Sequence, residues 1–246
     1  MRETELIMGM PITIEVVGAP SAAPLAAAFA CFRAVDERFS PYKDDSEVSA
    51  LNRGQVEPAA MSTELREVLA LSEATKAATR GYFDIRRPDG KIDPSGLVKG
   101  WAIRNAAALI ADAGYVDYYV EAGGDIQCAG HNASGGLWRV GIRNPFNDTE
   151  IVKALQLGNA GIATSGNYVR GAHIYDPHIA TWDLADLVSL TVVAADVYDA
   201  DRYATAAFAM GRDGINFIEA TPGLEGYAID RNGIATMTSG FKRLVA

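Results

Sequence analysis

The run Ile92-Asp93-Pro94-Ser95-Gly96-Leu97-Val98-Lys99-Gly100-Trp101-Ala102 narrows what this chain can fold into more than any other stretch. Pro94 fixes its own φ and biases Asp93 towards an extended conformation. Ser95 reads as a helix N-cap. From Val98 the apolar residues recur at helical spacing through Trp101, Ala102, Ala106, Leu109 and Ala113, and Gly114 closes the helix. An acid, an exposed glycine carbonyl and a lysine are thereby crowded into a loop that opens a helix. Free N–H groups and the macrodipole make a helix N-terminus attractive to anions, and a lysine one turn in adds a full charge. A phosphate-bearing ligand suits this arrangement; the plainer reading is a strand-to-helix turn with a solvated lysine.

Charge decides what kind of partner such a loop can serve. The formal net charge is −9 over 246 residues, and no Lys/Arg run occurs, which argues against a nucleic-acid surface. The bulk field repels anions, so a phosphate site here needs local cations: Lys99, an arginine or a metal. With 49% apolar residues the chain can bury a large core, and it reads as a single domain over 1–246. Cys31 and Cys128 each sit in an apolar segment and read as buried free thiols in a reducing compartment. The opening residues are acidic, too short in apolar run for a signal peptide, and no window reaches transmembrane length. The expectation is a cytoplasmic protein without membrane insertion.

The pattern along the chain alternates short strands with inserted helices. Met10 to Val17 reads as a strand. Leu25, Ala28, Phe29, Phe32, Val35 and Phe39 then mark a long amphipathic helix. A polar loop follows, with Ser46 capping a short helix. Tyr42, held by Pro41, reads either as packing under that loop or as a ring presented to a planar ligand. Ser62 caps a further helix that ends before Gly81, and Tyr82 to Ile85 reads as a short strand. Strands are predicted over 116–120, 126–129, 138–142, 151–157 and 161–166, and the nearly all-apolar Leu187–Ala195 reads as a central strand. Asp196 to Met210 is helical, and Asn232-Gly233 signals a hairpin between 227–230 and 234–237. A sustained βαβ alternation is missing, which favours an α+β fold of layered mixed or antiparallel sheets with packed helices. The long stretch Arg170–Ala185 reads as a loop over a site.

One helical pair has the chemistry of a cation site. Asp201 and Thr205 are four apart, share a helix face and offer a carboxylate and a hydroxyl to one hard cation; the alternative is a first-turn Asp favoured by the dipole. With one backbone carbonyl, substrate phosphate and water they would suffice for Mg²⁺. His131, His173 and His178 lack zinc-like spacing with cysteine. His173 is a candidate general base, since a free imidazole titrates near neutrality.

Taken in order, Met8-Gly9, Phe39-Ser40-Pro41-Tyr42 with Asp45 to Asn52, Gly81-Tyr82-Phe83-Asp84, Asp93 to Ala102, Gly123-Gly124-Asp125-Ile126, Ala163-Thr164-Ser165-Gly166, His173-Ile174-Tyr175-Asp176-Pro177 and Asp201 to Ala206 resemble the motifs of the ApbE family of FAD:protein FMN transferases. The resemblance runs over essentially the whole chain and implies an ApbE, T-fold-like architecture. It implies that FAD, as substrate, binds with its flavin near Met8 and Tyr42, and that Asp93 and Lys99 contact it. Phe83, Asp84, Gly124, Asp125, Ser165 and Ile174 are assigned to the same FAD site. The Gly96 carbonyl, Asp201 and Thr205 match the family's Mg²⁺ site, which gives Asp201 a catalytic part. His173 matches the histidine proposed to deprotonate the acceptor threonine of a partner flavoprotein. That acceptor carries an Asp-x-x-Ser/Thr-Gly-Ala-Thr/Ser motif, which this chain lacks. The implied reaction, flavinylation, leaves FMN esterified to threonine (or serine) and releases AMP. An FAD pyrophosphatase giving free FMN and AMP, and a non-catalytic flavin-binding protein, are the alternatives. Met8-Gly9-Met10 departs from the usual Met-Gly-Thr, and the short path from Phe83-Asp84 to Asp93 resembles the family's compact branch.

Overall fold

A computed structural model of the chain describes residues 1–18, 21–166, 174–181, 184 and 187–246. Strands β1 (Arg2–Ile7) and β2 (Met10–Val16) lead into helices α1 (Ala23–Phe39), α2 (Glu47–Asn52), α3 (Thr63–Ala78) and α4 (Ser95–Asp112). There follow β3 (Tyr118–Ala122), β4 (Asp125–Ala129), β5 (Trp138–Asn144), β6 (Asn147–Leu157), β7 (Ala160–Gly166) and β8 (Leu187–Ala194). Helices α5 (Val197–Ala209) and α6 (Gly214–Ala220) and strands β9 (Glu225–Asp230) and β10 (Ala235–Met237) complete the order.

Eight strands form one sheet in the order β1-β2-β3-β4-β7-β8-β9-β10, and every neighbouring pair is antiparallel. Of the mixed or antiparallel layers expected, the antiparallel form is the one present, with β5 and β6 forming a separate two-stranded ribbon. Helices cover one face. Leu25, Phe29 and Phe32 of α1 and Ile103 and Ile110 of α4 pack with Ile12, Ile14 and Val120 of the sheet. Ala200, Ala204 and Phe208 of α5 pack on Leu190 and Val192. The ribbon covers part of the other face, where Trp138, Val140 and Leu155 meet Ile162, Val193 and Tyr227. Leu187–Ala194 is central as expected, with apolar side chains buried on both faces.

Several helix ends follow the sequence signals. Ser46 and Ser62 accept hydrogen bonds from Ser49 N and Leu65 N at 3.0 and 3.1 Å. Gly114 adopts φ +90° just beyond α4, where a side chain would be strained. Three readings need correction. Ser95 is not the cap of α4 but its first residue; the N-cap position is Pro94, which has no capping side chain, and Asp93 Oδ1 instead makes an Asx turn, accepting from Ser95 N at 3.1 Å and Ser95 Oγ at 2.5 Å. Tyr82–Ile85 forms no strand, because side chains take the N–H groups a ladder would use: Thr79 Oγ1 accepts from Phe83 N, and Asp84 Oδ1 from Arg86 N. Tyr42 does not pack under its loop; it is 91% exposed. Among the described residues no helix is long and apolar enough to cross a membrane.

Candidate active site

Helices α4 and α5 approach so closely that glycine is required at their crossing. A methyl group at Gly100 would fall 2.7 Å from Asp201 Cβ and 3.0 Å from both Tyr198 Cα and the Val197 carbonyl. One turn earlier, a methyl at Gly96 would lie 3.1 Å from Thr205 Cγ2. The i, i+4 pair of glycines therefore seats the first two turns of α4 against the Asp201 and Thr205 face of α5. Thr205 Oγ1 donates to the Gly96 carbonyl at 3.3 Å, and Gly100 N donates to Asp201 Oδ2 at 2.7 Å. The carbonyl, carboxylate and hydroxyl singled out in the sequence thus converge, although about a hundred residues separate their segments.

Lys99 is not solvated. Its side chain is 14% exposed and its Nζ lies 2.5 Å from Asp125 Oδ2 and 3.7 Å from Asp201 Oδ1. The short contact to Asp125 is a charge contact, not an aligned hydrogen bond. Asp125, at the start of β4, is buried and is fixed by a hydrogen bond from Thr164 N of β7 to its Oδ1 at 3.1 Å. Among the described residues, two buried carboxylates share this one ammonium. Burial pushes the Asp201 carboxyl up to about 7; the Asp125 charge works in the same direction, against Lys99 and the Gly100 N–H. Asp201 is the fifth residue of α5 and not in its first turn, so the dipole reading does not explain it. Carboxylate, hydroxyl and carbonyl are the hard oxygen donors that Mg²⁺ takes, so this donor set fits the ion.

The remaining candidates divide by surroundings. Asp93 Oδ1 accepts from the N–H and hydroxyl of Ser95 at the start of α4, and Asp84 Oδ2 pairs with Lys76 Nζ at 2.7 Å. Phe83 is buried beside Gly96, Ile174 is in the core under α5, and Ser165 is buried on β7. Gly124 is exposed in the β3–β4 turn with φ +96°. Met8, at φ +55°, lines a cleft of about 400 Å³ with Arg33, Asp36 and Lys43. A second cleft of similar volume lies beside Asn52, Met61 and Arg86. Neither is lined by Lys99, Asp201 or Thr205. His173 lies outside the described residues, as do 170–172, 182–183 and 185 of the loop expected over the site.

Sequence reasoning missed two supports of this site. The Lys99–Asp125 contact joins residues that no spacing relates. Gln127 Oε1, on β4, accepts from Val197 N at 2.8 Å and so ties the start of α5 to the sheet.

The family model described as the ApbE family matches residues 8–87 and 85–228. The chain belongs to the ApbE family. A curated ApbE relative, the FAD:protein FMN transferase of Vibrio cholerae, is 28% identical over a match covering 73% of this chain and 71% of the relative. The FAD:protein FMN transferase of Salmonella typhimurium is 31% identical, but that match covers 63% of this chain and only 45% of the relative. The solved flavin transferase ApbE from Vibrio cholerae superposes with a TM-score of 0.87 at 25% identity, covering 99% of this chain and 98% of that one. The α+β ApbE architecture expected from the sequence is the one observed.

Proposed function

We propose that this protein transfers FMN from FAD to a threonine (or serine) hydroxyl of a partner protein and releases AMP. The observation that carries the reading is the convergence of the Gly96 carbonyl, Asp201 and Thr205 beside a buried lysine, in a chain of the ApbE family. Those three groups would hold Mg²⁺. When bound, the ion supplies charge neutralisation on the pyrophosphate, which makes AMP a better leaving group.

The chain's own residues do the rest. The Met8 and Tyr42 segments receive the flavin, and the exposed Tyr42 ring has a free face for it. The fixed, water-poor surroundings of Asp201 keep the donors in place with little reorganisation during reaction. His173 takes the proton from the acceptor Oγ. As the Oγ–P bond to the FMN phosphorus forms, the anhydride P–O bond breaks and AMP leaves with its electron pair. This role of His173 rests on the resemblance of His173 to Pro177 to the family motif. The acceptor is a flavoprotein bearing the Asp-x-x-Ser/Thr-Gly-Ala-Thr/Ser motif, met in the cytoplasm.

The test mixes the protein with FAD, Mg²⁺ and a domain carrying that motif. A covalent, fluorescent adduct on the acceptor together with AMP is expected. AMP without adduct would replace transfer by FAD hydrolysis. Asp201→Ala is expected to lower turnover by about 10²–10³-fold, the usual scale for one lost electrostatic stabiliser, while FAD still binds.

A further inference from the structure

We infer that Lys99 is a displaceable counterion for the cation site: it supplies the positive charge beside Asp201 when no divalent cation is present, and Asp125 retains it when one arrives. The inference rests on the reading that Asp201, Thr205 and the Gly96 carbonyl hold the cation, and it adds a competitor built into the same helix.

The geometry is asymmetric. Lys99 Nζ sits 2.5 Å from Asp125 Oδ2 but 3.7 Å from Asp201 Oδ1, beyond hydrogen-bond distance. Asp201 Oδ2 is held by Gly100 N, so Oδ1 is the oxygen that faces the ammonium. A buried carboxylate without a nearby cation is costly, and Lys99 relieves that cost without hydrogen-bonding to Oδ1. A dication on the Asp201–Thr205 face repels the ammonium across a few ångströms of poorly screened interior. Asp125, anchored by Thr164 N and 1% exposed, is the place where the displaced charge stays paired. Lys99 therefore sits on the helix that carries the Gly96 carbonyl yet opposes the ion that the carbonyl helps to hold. Its positioning role is to set how tightly the cation is held.

This has a sign that a merely structural lysine would not produce. The probe is Mn²⁺ alone, a hard dication that shares these oxygen ligands with Mg²⁺, read from its free electron paramagnetic resonance signal without FAD. Removing the competitor should tighten binding once Asp201 is ionised in both proteins: compared at a pH above the range in which that carboxyl titrates, Lys99→Met is expected to lower the Mn²⁺ dissociation constant by about tenfold, the scale of one charge acting a few ångströms away. Lys99→Gln, which keeps a polar head, should shift it in the same direction and serves if Lys99→Met folds poorly. Asp125→Asn should weaken Mn²⁺ binding by about tenfold in the native background and by less beside Lys99→Met, where only the direct loss of its charge next to Asp201 remains. Weaker or unchanged binding in both Lys99 variants would overturn the inference. An equal cost of Asp125→Asn in both backgrounds would overturn the retention half of it. Asp201→Asn should abolish the binding; Mn²⁺ held as tightly without that carboxylate would instead overturn the cation assignment under the proposed function, and the counterion role with it.

Discussion

Under the proposed function, Asp201 meets two demands that pull its carboxyl in opposite directions. Cation binding needs the ionised form, and burial disfavours it. The folded-state value, raised to about 7, exceeds that of the unfolded chain, so the protonated form is the better folded one in the cation-free protein. The stability this group contributes is therefore complete below about pH 4 and is lost as pH rises to about 7. Asp201→Asn removes that dependence. In the presence of a chelator, the melting temperature of the native protein minus that of the variant should fall between about pH 4 and pH 7 and level off above. A difference that stays flat across that window would mean the carboxyl is not desolvated as its surroundings imply. Asp201 and Thr205 were legible in the sequence because four residues on a helix make one face. The Lys99–Asp125 contact was not, since it depends on β4 passing beneath α4, and a strand register leaves no mark on residue spacing. A helical lysine one turn in looks solvated from sequence, and only the tertiary fold closes over it.

At the scale of elements, the crossing of α4 and α5 does more than bury surface. Gly100 offers its N–H to Asp201 and, lacking Cβ, lets the two backbones meet. Gly100→Ala would gain helix propensity of up to about 1 kcal/mol. It would lose more, because the added methyl falls at 2.7–3.0 Å from Asp201 Cβ and α5 backbone, which cannot yield by a rotamer change. A net destabilisation of about 1–3 kcal/mol is expected in urea unfolding. Mn²⁺ binding should weaken with it, as the Gly96 carbonyl and Thr205 part; unchanged binding would detach the crossing from the site. The elements themselves were uneven to read. Periodic apolar helices and capped starts at Ser46 and Ser62 came through because each signal is local. Strand β1 did not, because its only buried residue is Ile7 and Glu3 and Glu5 charge an edge strand that shows no alternation. Ribbon strand β6 begins earlier than its apolar run, since Asn147 pairs with Asn144 and residues 148–150 bulge out before Ile151 pairs with Arg143, in a hairpin arm that stands in solvent.

The whole molecule is needed to make one small site. Its parts come from the N-terminal turns of α4, the start of β4, the middle of β7 and the centre of α5, and the sheet order places β4 beside β7 although two strands lie between them in sequence. No segment that contains the donors keeps them together alone, so cation binding should be coupled to global unfolding and not to a local loop. A ligand that binds only the folded chain stabilises it by about 2.7 kcal/mol at a hundredfold excess over its dissociation constant. For a domain of this size that corresponds to a rise in melting temperature of about 5–10 °C. Mn²⁺ should produce that rise in the native protein as a single shifted transition, and almost none in Asp201→Asn. Because Lys99 already neutralises part of the cluster, Lys99→Met should melt lower than the native protein without the ion and show the larger rise with it. A rise confined to one of two resolved transitions would place the cation on a part of the fold that melts by itself, which an assembly drawn from four distant segments does not allow.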